Sequence, residues 1–243
     1  MRATARVGGR QSDTRTIRLY GGAAMTDWFP LWLSIRVSVI ATISAGIVGV
    51  ALAYVLAKWR SRWASVVEAV VTLPIVLPPT VLGYYLLTLL GTRSGVGEAW
   101  ERAFGSPLVF TQGAAVVAAT VSALPFVIRA ARAAISNVDA RVEESARVMG
   151  LSEWRVARVV TLPLAARGIG AGVALGFARA LGDFGATVMV AGNIPGQTQT
   201  LPVAVYDAVQ AGDETTARTG SLVLGAIAVV VLIFVTQVFA RRR

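Results

Sequence analysis

Residues 37–57 read VSVIATISAGIVGVALAYVLA and contain no Asp, Glu, Lys or Arg. A helix needs about 20 apolar residues to cross the hydrocarbon core of a bilayer, and backbone amides in lipid must be satisfied within a helix. Three more uncharged blocks reach this length: Ala69–Thr92, Leu108–Ile128 and Thr219–Ala240. A fifth block, Gly168–Ala191, is interrupted only by Arg179 and Asp183. The sequence therefore predicts an all-α, polytopic integral membrane protein with five transmembrane helices, at about 32–57, 67–92, 108–132, 168–191 and 219–240.

The basic residues lie mostly in particular connections between these blocks. They concentrate before the second block, between the third and the fourth, and at the C-terminus, where residues 241–243 are all Arg. The loop after the second block holds only Arg93 and Arg102, and the loop after the fourth holds only Arg218. Because positive residues stay on the cytoplasmic side, we expect a multi-pass protein of the cell inner membrane with its N-terminus outside and its C-terminus in the cytoplasm. The net charge of +10 is spread over loops that flank membrane lipid, which argues against a nucleic-acid partner.

The chain has no Cys and no His. A disulfide framework and a thiolate metal site are therefore excluded, and the commonest transition-metal ligand and general base are missing. We expect no resident metal or cofactor and no catalytic activity, which makes a membrane-embedded enzyme a poor interpretation.

The first 27 residues differ from the rest of the chain. Five Arg and no apolar run precede Met25, so this segment is not a signal peptide. An outside N-terminus would place those five Arg against one acid, Asp13, contrary to the positive-inside tendency. We expect residues 1–27 to be disordered or a misassigned extension, with translation starting at Met25, and residues 28–243 to form the membrane domain.

Two of the apolar blocks carry features that a plain spanning helix does not need. Pro74, Pro78 and Pro79 remove amide donors from the second block and should kink it. The kink either shapes helix packing or lines a transport path. In the fourth block, Arg179 and Asp183 are four residues apart, on one face of a helix. Charge in lipid is usually paired or faces a cavity, so we expect an intrahelical ion pair, a cationic lining beside the route of an anion, or both.

Residues 136–167 form a long polar stretch with helical periodicity on both sides of Gly150. Gly adopts positive φ without penalty and commonly ends a helix. The pattern predicts two short cytoplasmic helices joined at a tight turn, the first capped by Asn137 or Asp139 and the second ending near residues 162–163. On periodicity alone, an amphipathic helix lying on the membrane surface fits as well.

The same stretch carries a motif with fixed gaps. Glu144-Ser145-Ala146, then three residues, Gly150, then nine residues, Val160-Thr161-Leu162-Pro163 resembles the E-A-A-x3-G-x9-I-x-L-P signature of importer permeases of the ATP-binding cassette (ABC) class. Ser145 and Val160 are the departures. The resemblance implies that residues 136–167, here named the coupling loop, sit in a cleft of an ATPase subunit. The coupling residues it assigns are Glu144, Ser145, Ala146, Gly150, Trp154, Leu162 and Pro163.

Three further segments are similar to the molybdate permeases of this class: Leu73–Tyr84, Phe177–Thr187 and Asn193–Tyr206. The second segment has Asp183 where those permeases usually have Glu. The resemblance implies molybdate as the cargo, then tungstate, with sulfate or thiosulfate as the alternative because relatives that carry them share much of the pattern. It also implies a path in which an oxyanion meets hydroxyls, amides or helix ends. The candidate path residues are Thr80, Ser122, Arg179, Asp183 and Thr187.

The resemblance also implies the partners. They are a second copy of this chain, two cytoplasmic ABC ATPase subunits that carry ATP and Mg, and a periplasmic or lipid-anchored molybdate-binding protein. The chain has no G-x-x-x-x-G-K-[ST] loop, so alternating access would be driven by another polypeptide. An ion-coupled secondary transporter fits less well, because the sequence shows no internal repeat and Asp183 is the only acid deep in a block.

Overall fold

The computed structural model describes residues 27–59 and 61–240, and all regular secondary structure in these ranges is helical. The predicted N-terminal segment, apart from Asp27, and the predicted start at Met25 lie outside the described residues. The elements are α1 (Phe29–Lys58), α2 (Arg62–Val76), α3 (Pro79–Leu90), α4 (Gly95–Phe104), α5 (Gln112–Ser136), α6 (Ala140–Val148), α7 (Glu153–Val156), a π turn (Ala157–Thr161), α8 (Leu162–Leu181), α9 (Gly185–Ala191), α10 (Leu201–Gln210) and α11 (Glu214–Ala240).

Four helices in the described part of the chain are long and apolar enough to cross a membrane: Phe29–Lys58, Gln112–Ser136, Glu153–Leu181 and Glu214–Phe234. The bent pair α2 and α3 makes a fifth if it counts as one span. The all-helical membrane fold is thus confirmed. The third span begins at Gln112 rather than at 108, since Thr111 caps the helix by accepting a hydrogen bond from the backbone N–H of Ala114.

The second predicted span, 67–92, is not one kinked helix. Its two halves, α2 and α3, meet at 114°. Leu77 and Pro78 each precede a proline, which disfavours the α conformation, and their ψ angles of 138° and 135° are extended. The prolines therefore end one helix and start another, a stronger effect than the predicted kink.

The fourth predicted span, 168–191, also needs correction. Helix α8 ends at Leu181, and α9 starts at Gly185 after a short break. At its other end, α8 continues without interruption from α7, so the second helix of the coupling loop is not short and does not end near Leu162 and Pro163. Pro163 has no N–H and would crowd the carbonyl four residues before it. The π turn widens the helix there, and the N–H of Leu162 donates to the carbonyl of Ala157.

Helices α1, α5 and α8 pack together as the centre of the bundle. Small residues let α5 and α8 approach closely, as is common between helices in membranes. A Cβ built on Gly172 of α8 would lie only 2.6 Å from the Cβ of Ala130 on α5. Helix α3 packs on α9, and α11 packs on α8 and α10. Helices α2 and α9, which flank the two breaks, also pack on α5 of the central bundle.

Candidate translocation path and coupling loop

The two helix breaks lie against each other. A Cβ built on Gly185, at the start of α9, would lie 2.7 Å from the Cβ of Pro79, at the start of α3. The breaks border a cavity of about 500 Å³ whose lining includes Thr80, Arg179 and Asp183. Glycine at position 185 permits this approach, because a side chain there would separate the two helix starts.

Asp183 is the centre of a buried hydrogen-bond network in the second break. Asp183 is 2% exposed. Its Oδ1 lies 2.9 Å from Nη1 of Arg179 and accepts a hydrogen bond of 3.1 Å from the Ser122 hydroxyl. Its Oδ2 accepts hydrogen bonds from the backbone N–H and the hydroxyl of Thr187, at 3.0 and 2.7 Å. The carboxylate thus joins α5, α8 and α9 at the point where the membrane helix is interrupted.

The ion pair predicted between Arg179 and Asp183 is present, but the reason given for it was wrong. The two residues do not share one helix face, because α8 ends at Leu181, between them. The break exposes the N–H groups at the start of α9, and Asp183 accepts from one of them, that of Thr187. Pairing neutralises a carboxylate that would otherwise be costly to bury.

The structure gathers the five predicted path residues but divides them into two groups. Thr80, Arg179 and Asp183 line the cavity. Ser122 and Thr187 are each 1% exposed, and their hydroxyls donate hydrogen bonds to Asp183. They are therefore placed to hold the acid rather than to meet a solute. Thr80 is exposed, and the Arg179 side chain is 25% exposed, so these two present polar donors to the cavity.

The coupling loop folds around its predicted glycine turn. Asp139 caps α6 by accepting from the N–H of Arg141, whereas Asn137 ends α5. Gly150 has φ +85°, a left-handed conformation that suits glycine. The turn leaves three apolar side chains largely uncovered, since Val148, Met149 and Trp154 are 84%, 75% and 71% exposed.

The predicted coupling residues divide by burial. Most of them are exposed on the loop, whereas Ala146 lies on the buried face of α6 and Leu162 is half-buried; the exposed ones are Glu144, Ser145, Gly150, Trp154 and Pro163. Exposed apolar residues that are grouped, as Val148, Met149 and Trp154 are, mark a binding surface more often than an isolated exposed apolar residue does.

Glu143 is a residue that sequence reasoning missed. It is 3% exposed and accepts hydrogen bonds from Nζ of Lys58 at 2.7 Å and from the Thr161 hydroxyl at 2.6 Å. Burial raises its pKa, but the hydrogen bonds from Lys58 and Thr161 and the charges of Lys58 and Arg147 outweigh burial and lower the pKa below the ordinary value. Its partners Lys58 and Thr161 lie 85 and 18 residues away in sequence, so local spacing gave no signal for its burial.

Apolar spanning helices that break beside a cavity are typical of membrane transport proteins. The family model described as "Binding-protein-dependent transport system inner membrane component" matches residues 45–242, and the chain belongs to this family. It is therefore a multi-pass inner-membrane protein with a role in transport.

Sequence relatives agree with this assignment, and a solved structure agrees with the fold. The chain is 38% identical over 208 residues to the molybdenum transport system permease protein ModB of Escherichia coli (strain K12), covering 85% of this chain and 91% of that protein. It is 42% identical over 162 residues to the putative molybdenum transport system permease protein YvgM of Bacillus subtilis (strain 168), covering 67% and 71%. The fold matches a chain of the methionine ABC transporter MetNI in inward facing conformations, with TM-score 0.68, 18% identity, and 87% and 93% of the two chains covered.

Proposed function

We propose that this chain is the permease subunit of an ABC importer and moves molybdate across the inner membrane by alternating access. The observation that supports molybdate as the cargo is the similarity to ModB of E. coli, because this similarity extends over most of both chains. Two helix breaks beside a cavity whose lining includes Thr80, Arg179 and Asp183 supply a route, since interrupted helices in membranes are tolerated where they line a cavity.

The proposed assembly has two copies of this chain, two ATPase subunits that carry ATP and Mg, and a binding protein on the outer side. The exposed patch at Val148, Met149 and Trp154 supports an ATPase partner at the coupling loop. In the proposed assembly, the loop and the C-terminus lie in the cytoplasm and the N-terminus lies outside. The permease itself hydrolyses nothing, and the ATP energy reaches it through the coupling loop.

We propose that the oxyanion passes the cavity between the two breaks. One N–H group of Arg179 is paired with Asp183, the other N–H groups of Arg179 remain as donors, and Thr80 adds a hydroxyl. A divalent oxyanion therefore meets hydrogen-bond donors in the cavity. Because Asp183 neutralises the charge of Arg179, the oxyanion is not bound so tightly that it cannot leave. Ser122 and Thr187 do not contact the oxyanion, and their hydrogen bonds hold the Asp183 carboxylate in position.

Reconstitution of the complete complex tests this function. The permease, with the ATPase and binding protein of its native host, is placed in liposomes, and uptake of labelled molybdate is measured with tungstate and sulfate as competitors. We expect ATP-dependent molybdate uptake that vanadate stops and a protonophore leaves intact. Preferred uptake of sulfate would show that the cargo is wrong. Uptake that ignores vanadate and stops when the proton gradient collapses would show an ion-coupled carrier.

A further inference from the structure

An ion pair between a buried carboxylate and a lysine that is 37% exposed connects the coupling loop to the first membrane helix. Lys58 is the last residue of α1, and its Nζ donates to both carboxylate oxygens of Glu143 on α6. Glu143 is 85 residues away in sequence, so this contact is a product of the tertiary fold. Helix α6 otherwise packs chiefly on α7 and the π turn, and the ion pair adds a direct connection to α1.

The same carboxylate holds the π turn. Thr161, the last residue of that turn, is fully buried and donates its hydroxyl proton to Oε1 of Glu143. The turn lies in the continuous helix that runs from the coupling loop into the membrane as α8. Single π turns inside helices are frequent at functional sites. Glu143 therefore contacts the C-terminal end of α1 and the turn through which the coupling loop continues into α8.

Stability alone does not require this arrangement. The pair contributes little net stability, because Lys58 is partly solvated and desolvation of Glu143 offsets much of the attraction. What it does supply is fixed geometry, since a buried carboxylate that accepts three hydrogen bonds from Lys58 and Thr161 has one low-energy position. Arg147, with Nη2 3.6 Å from Glu143 and Nε 2.7 Å from Glu153, extends the network to the start of α7.

We propose that Glu143 is a positioning residue that joins the coupling loop to α1 and to α8, so that a push on the loop moves both membrane helices together. This inference rests on the proposed function, because it concerns how ATP-driven movement of a partner reaches the path. Without the Lys58–Glu143 connection, the loop still binds the ATPase, but its displacement is only partly transmitted.

The test compares variants in the reconstituted complex and measures three quantities: bound ATPase, ATP hydrolysed, and oxyanion transported per ATP. The variants are Glu143→Gln, Lys58→Met, the double variant and Lys58→Arg. The matched control is Glu68→Gln, which breaks the ion pair between Glu68 and Arg132 that joins α2 and α5 outside the coupling loop.

We expect Glu143→Gln and Lys58→Met to keep ATPase binding and hydrolysis and to lower transport per ATP by about fivefold or more, the lower end of typical coupling effects. The double variant should be no worse than the poorer single one, because the two residues act as a unit. Lys58→Arg should keep the wild-type ratio of oxyanion transported per ATP, and the Glu68→Gln control should leave this ratio unchanged.

Three results would overturn the inference. The first is a ratio within about twofold of wild type in Glu143→Gln. The second is transport that falls only in proportion to bound ATPase. The third is a Glu143→Gln complex that does not assemble while the Glu68→Gln complex does, because Glu143 would then serve folding. The ratio is measured with whichever oxyanion the wild-type complex transports, so a wrong cargo shows in the wild type and a wrong positioning role only in the variants.

Discussion

Replacing Gly150 by Val is a sharp perturbation of the coupling loop. Gly150 has φ +85°, and a Cβ built on it meets nothing within 4 Å, so the added side chain has space and the penalty is entirely backbone strain. Holding a non-glycine residue in this region costs about 1–3 kcal/mol, and a β-branched residue lies at the upper end. The loop relieves that strain by reshaping the turn between α6 and α7, which displaces Met149 and Trp154. We expect Gly150→Val to insert normally in the membrane but to lose transport and stimulated ATP hydrolysis.

The assay is stimulated ATP hydrolysis and molybdate uptake by the purified complex. Gly105 provides a matched control, because it also has a positive φ, +72°, with open space around its Cβ, and lies at the end of α4. Gly105→Val carries similar strain and should keep transport. Gly150→Asn should keep most of it, since Asn tolerates the left-handed conformation. If the Gly150→Val complex retains its subunits and its full stimulated hydrolysis rate, the assignment of this turn to ATPase docking is wrong.

Three further predictions concern packing and charge. Asp183→Asn should destabilise the purified permease by about 3 kcal/mol in thermal melts, the low end for a broken buried pair because its arginine partner is a quarter exposed; an unchanged melt would show that the pair is dispensable. Gly172→Leu should prevent close packing against Ala130, where even a Cβ would lie at 2.6 Å, and cost about 3 kcal/mol or more, visible as loss of monodisperse protein on size exclusion. Because the pKa of Glu143 is lowered in the folded state, its stabilising contribution is full above the ordinary value of 4.5 and is lost as the pH falls through the lowered pKa. The melting temperature of wild type should therefore exceed that of Glu143→Gln at neutral pH, and the difference should shrink as the pH falls below 4.5 and through the lowered pKa; a difference that stays constant over this range would contradict this.

The long spans were predictable because bilayer thickness sets a length that an apolar block either reaches or does not. The glycine turn at Gly150 was also predictable, since its φ of +85° is a local requirement that one residue type meets best. The two helix breaks were harder. Composition shows that residues 168–191 are apolar, but not that the helix stops at Leu181. That break is stabilised by Ser122, which is 61 residues from Asp183 in sequence.

The two buried acids show why one was noticed and the other was not. Asp183 stood out because a charge inside an apolar block has to be buried or paired, so its burial could be inferred from its neighbours in sequence. Glu143 lies in a polar loop, where a carboxylate is expected and most are solvated, and neighbouring Glu144 is indeed exposed. Only the fold brings Lys58 and Thr161 to Glu143. Inside the membrane, then, sequence reports burial through the cost of charge. Outside it, a buried charge is recognised only from the partners that tertiary structure supplies, and the contacts that join a loop to the membrane helices belong to that second kind.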